Sequence, residues 1–458
     1  MAEQCERRLR ALIIAESCNP EWASVPLVGW SHSQALTART DGHLVTHARQ
    51  RPALLRAGLR EGEDFTALEV PAVERSLATL SRLLGVPYGS NKAWTMHTAF
   101  SAVDYPWFER RVWQRFGERL RRQEFDVVHR LTPLSPAIPS PLARLCRRAG
   151  VPFVLGPLNG GLPWPTGFLN VRVAEREWLG FARGAARLVP GYSSTRACSA
   201  AILVGSRHAW AEISKRFRPK TVYLPENGID QARFPEAVAA PPGLPLRVAF
   251  AGRLVPIKAV DMLVEAAAPL ARDGRLLLTI AGEGPQRPVL EALVAREGIA
   301  SCVHFAGWVE HARVREVLAG CHLFGFPSIR DFGGAAVLEG MALGLVPLVV
   351  DYGGPGELVS PSTGFAVPMG SRRQIVRRLA EVLGALVADP RPLPAMSCRA
   401  RERALRSFTW DTKAEQVLEV YEFALGRRPR PDFGMPFPDP PLDAASLACA
   451  TPHPLPAD

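Results

Sequence analysis

The chain reads as an α/β protein of two successive doubly wound parallel-sheet domains, on three observations. Short apolar runs alternate with helical stretches along most of the sequence. The alternation fades between Gln231 and Pro245, where PEAVAAPPGLP is rich in Pro and Ala, and then restarts. The 458 residues also exceed what one hydrophobic core usually holds.

The first half opens with RALIIAE (10–16), expected to be a buried strand, and HLVTH (43–47) is a second candidate. FDVVH (125–129) precedes the Pro-rich loop LTPLSPAIPSP and a helical pattern ending at Gly150. VPFVLG (151–156), AAILVG (200–205) and TVYLP (221–225) complete the strands of this half, and Ser206 has the character of a helix N-cap. In the second half the expected strands are LRVAFAG (246–252), RLLLTIAG (275–282), CVHFAG (302–307), CHLFGFP (321–327) and VPLVV (346–350). Helices are expected from near Ala259, over 285–297, around 310–319 and over 334–343. Three more follow near 371–388, 394–407 and 410–426. The expected division is 1–235, a linker at 236–243, 244–408, and a helix over 409–427 packing back on the first domain. The tail 428–458 is dense in Pro, lacks a periodic apolar face and is expected to be disordered.

At 47% hydrophobic and 22% charged, the composition is that of a globular protein. The net charge of +11 is unevenly placed. Residues 1–240 hold 32 Lys/Arg against 21 Asp/Glu, and residues 241–458 hold 23 of each. A basic first half suits an anionic partner such as a membrane face or a phosphorylated acceptor. Equally, it suits a general bias toward Arg, since only five of the 55 basic residues are Lys. No basic stretch interleaves with aromatics, so nucleic acid is not an expected partner. The eight Cys form no CxxC pair and no zinc spacing. Cys18, Cys146, Cys302 and Cys321 sit in or beside apolar segments and are expected to be buried free thiols. The opening MAEQCERRLR is charged and no run approaches a spanning helix. The expected location is cytoplasmic, with peripheral contact on the inner membrane face as an alternative.

The most informative segment is FPSIRDFGGAAVLEGMALGLVPLVVDYGGPGELV (326–359). A strand ends at Pro327, and Gly333 and Gly334 open a helix whose free N–H groups can cradle a phosphate. Asp331 precedes this helix and Glu339 lies within it. Two carboxylates so placed can accept hydrogen bonds from two hydroxyl-bearing groups, such as a sugar and a ribose. Taken alone, an acid at a helix start is more often a cap. Upstream, AGRLVPIKAVD (251–261) places Arg253 and Lys258 five apart, where two cations could neutralise a diphosphate. Gly282 and Gly284 in AGEGPQR do not make a GxGxxG fingerprint, and no strand–GxGxxG–helix unit occurs, which disfavours hydride transfer. No Asp-X-Asp occurs, and no metal or other cofactor is expected.

Together these motifs resemble the retaining glycosyltransferases of the GT-B fold, in the large family 4 (group 1). The resemblance covers roughly residues 195–425 and rests on PENGID (225–230), Arg253 with Lys258, AGEGP, and Asp331 with Glu339, in that order. It implies two facing Rossmann-like domains with the active site in the cleft between them. Asp331, with Arg253 and Lys258, would be catalytic. Glu339, Gly333, Gly334, Gly282 and Gly284 would bind the donor, Asp331 meeting the sugar and Glu339 the ribose. The family usually has Glu first, so Asp331 is one methylene shorter.

In the first half, DVVH ends at His129, and many relatives carry a second His where this chain has Leu131. His129, Asn159, Gly160 and Gly161 are the acceptor-side candidates, although a His at a strand end is often packed in the core. NPEWASVPLVGWSH (19–32) is expected to be a loop in which Gly29 stands in for a glycine pair, or an apolar edge meeting a lipid acceptor. The expected function is metal-independent transfer, with retention, of a hexose-type sugar from a UDP-, GDP- or ADP-sugar. The expected acceptor is a polysaccharide or lipid-linked intermediate of the cell envelope. A nucleotide-sugar epimerase on the same fold, or a degenerate binding or scaffold protein, are the alternatives.

Overall fold

The structure, a computed structural model, describes residues 7–70, 94–175, 189–239, 243–310 and 313–441. The chain divides into two compact units, Met1–Gly161 with Leu179–Glu226 and Trp410–Phe433, and Leu162–Trp178 with Asn227–Thr409 and Gly434–Asp458. The division is discontinuous, with Trp410–Phe433 in the first unit.

In the first unit the strands are β1 Arg10–Ala15, β2 Asp41–His47, β3 Phe65–Leu68, β4 Val127–Thr132, β5 Phe153–Leu158, β6 Ala201–Val204 and β7 Thr221–Tyr223. Among the described residues they form one parallel sheet in the order β3-β2-β1-β4-β5-β6-β7. β4 and β5 are buried along their whole length, as strands covered on both faces must be. Ser206 does cap its helix, accepting the Ala209 N–H at 3.1 Å. Of the segment 19–32 expected to be a loop after β1, residues 19–24 are one, but from Val25 it is a helix, Val25–Thr37, with Pro26 in its first turn. Gly29 lies inside it, where a Cβ would stand 2.1 Å from the Ser17 carbonyl oxygen. The glycine therefore lets the helix close onto the end of β1, and the apolar residues Pro26, Val28 and Leu36 face the core rather than a lipid. Helix Trp410–Ala424 packs on Val25–Thr37, with the Trp410 ring 5.7 Å from that of His32.

The second unit holds β8 Leu246–Ala251, β9 Leu276–Ala281, β10 Val303–Gly307, β11 Leu323–Phe326, β12 Val346–Asp351 and β13 Phe365–Pro368, in the order β10-β9-β8-β11-β12-β13, again parallel. Gly325 on β11 marks a close helix contact, since a Cβ there would meet Leu263 of helix Val260–Arg272 at 2.7 Å. Helix Arg372–Ala388 opens on a capping box made by Ser371 and Gln374.

The expected disorder beyond Arg427 does not hold for residues 428–441. Phe437 is buried against Phe408, with ring centres 5.4 Å apart, and Asp439 bonds Arg403. Single anchors of this kind leave no periodic trace in a sequence. Residues 442–458 lie outside the described set. Cys18, Cys146 and Cys321 are buried free thiols, as expected, whereas Cys302 is free but half-buried and Cys398 is disulfide-bonded. No helix among the described residues is long and apolar enough to cross a membrane.

Candidate functional site

In each sheet the strand order reverses between two neighbours, β1 and β4 in one, β8 and β11 in the other. Ligands of open parallel sheets bind beyond the carboxyl ends of such strands. After β8 the chain passes Gly252, Arg253 and a 3-10 turn, Pro256–Lys258, into helix Val260–Arg272. After β11 it runs through Ser328 and Arg330 to Asp331, and helix Ala335–Ala342 opens at Gly334. The two loops are tied together, because the Ile329 N–H and the Ser328 hydroxyl both donate to the Ile257 carbonyl at 3.0 Å.

That tie brings Lys258 to Asp331. The ammonium donates to Asp331 Oδ2 and lies 4.6 Å from the centre of the Phe326 ring. Oδ1 accepts the N–H of Gly334 at 2.9 Å and that of Gly333 at 3.3 Å. Burial pushes the Asp331 carboxyl up, but the Lys258 charge, its hydrogen bond and the two glycine N–H groups outweigh burial and hold it below its usual value. One oxygen caps the glycine turn, and the other holds a cation.

The turn rests on the segment after β12. Gly354 N–H donates to the Asp331 carbonyl at 3.1 Å, and a Cβ on Gly353 would stand 2.2 Å from that oxygen. Gly334 has φ 68, and a Cβ there would meet Leu358 Cδ1 at 3.0 Å and Pro355 N at 3.1 Å. Only glycine fits a left-handed backbone pressed this closely on a neighbour. Gly282 and Gly284 act the same way one loop over. A Cβ on either would stand 1.9 Å from the Gly252 carbonyl oxygen or 2.3 Å from that of Leu254. They therefore shape the loop that carries Arg253. The Arg253 side chain is exposed and has no hydrogen-bond or ion-pair partner among the described residues. Glu339 is half-buried on the helix, with Oε1 3.9 Å from Arg233 Nη1.

Sequence reasoning missed Arg330. It is buried, donates from Nε to the Leu162 carbonyl at 3.0 Å, and its guanidinium lies 4.8 Å from the Trp164 ring and 5.0 Å from that of Phe332. Its partners lie 168 residues upstream, beyond any local pattern. The adjacent acid in SIRD was the one available signal.

In the first unit the structure corrects two acceptor-side candidates. His129 is fully buried on β4. Its Nε2 is 2.7 Å from the Gly156 carbonyl and its Nδ1 is 2.8 Å from the Tyr421 hydroxyl. A carbonyl only accepts, so Nε2 carries the proton and both nitrogens are used inside the core. Asn159 is buried too, donating to Glu226 Oε1 at 2.6 Å and accepting from Ser206 Oγ at 3.0 Å and Gly160 N–H at 2.8 Å. It braces the scaffold, and Glu226 of PENGID is its partner. Gly160 and Gly161 are open, with nothing nearer than 3.7 Å and 4.0 Å to an added Cβ. Leu131 is buried as well.

Residues 236–385 match the family model described as glycosyl transferases group 1. The alpha-maltose-1-phosphate synthase of Mycolicibacterium smegmatis is 32% identical over 220 residues, 44% of this chain and 57% of that protein. The D-inositol 3-phosphate glycosyltransferase of Nocardia farcinica is 36% identical over 205 residues, 43% and 44% of the two chains. The match thus spans about half the length of these curated relatives. Among solved structures, Anabaena HepE in complex with UDP and glucose superposes with TM-score 0.55 at 17% identity, covering 90% of this chain and 99% of that one. Sucrose-phosphate synthase of Thermosynechococcus elongatus gives TM-score 0.59 at 16% identity, covering 92% and 100%. At such identities the likeness is one of fold, and it agrees with the two parallel sheets.

Proposed function

We propose that the chain, which matches the group 1 glycosyl transferase model over residues 236–385, transfers a hexose-type sugar from a nucleotide-sugar to an acceptor, with retention. The observation that carries the reading is the convergence of the Lys258 ammonium and the Gly333 and Gly334 N–H groups on one anion, the Asp331 carboxylate. Three donors gathered at a helix start form an anion site. In the donor complex the diphosphate competes for Lys258, and Asp331 is released to accept a sugar hydroxyl. Arg253, exposed one loop away, adds a second cation for the leaving diphosphate. Glu339 takes the ribose hydroxyls. No general base or metal is assigned. Positioning and stabilisation of the departing diphosphate supply the rate.

The names of the relatives support a glucose- or mannose-type donor, since Anabaena HepE was solved with UDP-glucose and one relative is an MMP alpha-(1->4)-mannosyltransferase. A lipid-linked or polysaccharide acceptor, met at the membrane face, is the finer part of the proposal. Its support is the basic first half and helix Trp94–Arg121, which exposes Trp107, Arg110, Arg111 and Arg115. Incubation with UDP-, GDP- and ADP-sugars should give slow donor hydrolysis, with the released sugar keeping its anomeric configuration by NMR. Inverted product would refute retention, and an epimerised nucleotide-sugar formed without acceptor would favour the epimerase.

A further inference from the structure

The described part of the tail is held by a set of polar anchors that neither fold nor proposed chemistry requires. Arg403, on helix Leu393–Ser407, is 1% exposed, and its guanidinium is fully engaged. Nε donates to the Leu358 carbonyl at 2.8 Å, Nη2 to the Phe437 carbonyl at 2.8 Å, and Nη1 to Asp439 Oδ1 at 2.7 Å. The other oxygen of Asp439 accepts from Ser360 Oγ at 2.8 Å and Ser362 Oγ at 2.5 Å. Phe437 stacks on Phe408 and is buried, and Arg406 Nη1 reaches the Pro441 carbonyl at 3.2 Å.

Two of these anchors reach helix Gly354–Leu358 and the residues that follow it, Arg403 at the Leu358 carbonyl and Asp439 at Ser360 and Ser362. That helix is the surface on which the candidate donor turn lies. Its Leu358 Cδ1 and Pro355 backbone are the atoms an added Cβ on Gly334 would strike, and Gly354 N–H holds the Asp331 carbonyl. A contiguous path therefore runs from Asp439 through Arg403 and Ser360 to residues 354–358, and from there to Asp331, Gly333 and Gly334.

We propose that residues 434–441 form a strap that positions the Asp331–Gly334 turn for donor binding, with Asp439 as its positioning residue. The inference rests on the donor-site reading of that turn. Asp439 touches no reacting atom. It neutralises a buried guanidinium whose other partners, the Leu358 and Phe437 carbonyls, carry no charge, and an uncompensated buried charge disturbs its surroundings. Holding the wall fixes where the Gly333 and Gly334 N–H groups point, so the strap acts on affinity for the diphosphate before it acts on chemistry.

The test uses the full chain with Asp439→Asn, Phe437→Ala and Asp439→Glu. Hydrogen exchange of peptides covering 329–338 and 350–360 should quicken in the first two variants, while peptides of β1 and β4 keep their wild-type rates. Donor KM and the Kd for UDP, GDP or ADP should rise about three- to tenfold, with kcat changed less, and Asp439→Glu should recover most of the loss. Unchanged exchange at 329–338 in a folded Asp439→Asn protein overturns the strap whatever the ligand is. If wild type binds no nucleoside diphosphate, the donor reading fails, and exchange still decides whether the strap holds the turn. If wild type binds and both variants bind equally well, the strap fails and the donor reading stands.

Discussion

Replacing Asp331 by Asn separates the two roles this side chain plays. Asn keeps an oxygen for the Gly333 and Gly334 N–H groups and is nearly isosteric, so the turn stays capped. What is lost is the charge facing Lys258. The pair is mostly covered, with side chains 19% and 17% exposed, so its removal falls between the exposed and the buried case, about 1–2 kcal/mol. For a domain of this size that corresponds to a fall in Tm of about 2–8 °C. The effect on binding has the opposite sign. A diphosphate about 6 Å from the carboxylate, at an effective dielectric of about 60, is repelled by about 1 kcal/mol, and the freed ammonium adds to the gain. Affinity for a bare nucleoside diphosphate should therefore hold or rise about fivefold, while sugar transfer or donor hydrolysis falls about a hundredfold or more. Calorimetric titration with UDP, GDP and ADP, beside a coupled turnover assay, reads both. Turnover within twofold of wild type, or diphosphate binding weakened tenfold, would refute the assignment of Asp331 to the sugar and Lys258 to the phosphate.

Lys258→Ala removes a charge-assisted contact and should weaken nucleoside-diphosphate binding about ten- to a hundredfold, as measured in the same titration. Gly282→Ala forces φ 143 on an L side chain and drives its Cβ to 1.9 Å from the Gly252 carbonyl oxygen. It should cost about 3 kcal/mol or more, and an unshifted urea midpoint would show that the loop yields. Stability of the first unit should rise with pH over two windows. Burial pushes His129 down to about 4, only partly offset by its bond to Gly156, and pushes Lys413 down to about 7 against the pull of Glu226. Both are basic groups with folded values below their ordinary 6.5 and 10.5, so the unfolded chain binds the extra proton between each pair of values. Stability contributed by His129 is lost as pH falls from about 6.5 to about 4, and that of Lys413 as it falls from about 10.5 to about 7. Lys413→Met should flatten the upper window in urea titrations, and an unchanged slope there would contradict the burial argument. Lys413 donates to the Pro225 carbonyl at 2.5 Å, a bond the neutral amine can still make.

The strands that pack on both faces were legible because they are short continuous apolar runs, as in VPLVV before Asp351. β3 and β13 went unseen because FTAL and FAVP are too short to stand out from loops. The helix Val25–Thr37 is hidden in the sequence because Pro26 and Gly29 break the local pattern. Proline costs nothing in a first turn, and the glycine serves a contact with Ser17 that only the fold reveals. The candidate site residues stand out by motif order, yet the bond between Lys258 and Asp331 spans 73 positions and no spacing announces it. His129 and Asn159 looked like site groups because strand ends usually face ligands. The structure spends both on internal partners, Tyr421 and Glu226, supplied by distant parts of the chain. The order of residues 434–441 was equally invisible, since it comes from single anchors at Phe437 and Asp439 rather than from an apolar stripe.

We propose that Lys258, Asp331, Gly333 and Gly334 form the diphosphate-sugar site. It is tested most directly by thermal unfolding of wild type and Lys258→Ala against a panel of UDP-, GDP- and ADP-sugars. At a hundred times Kd a true donor contributes about 2.7 kcal/mol, a shift of several degrees. Wild type should show that shift with at least one nucleotide, and the variant should lose it. No stabilisation by any of them at millimolar concentration, or equal stabilisation of both proteins, would contradict it.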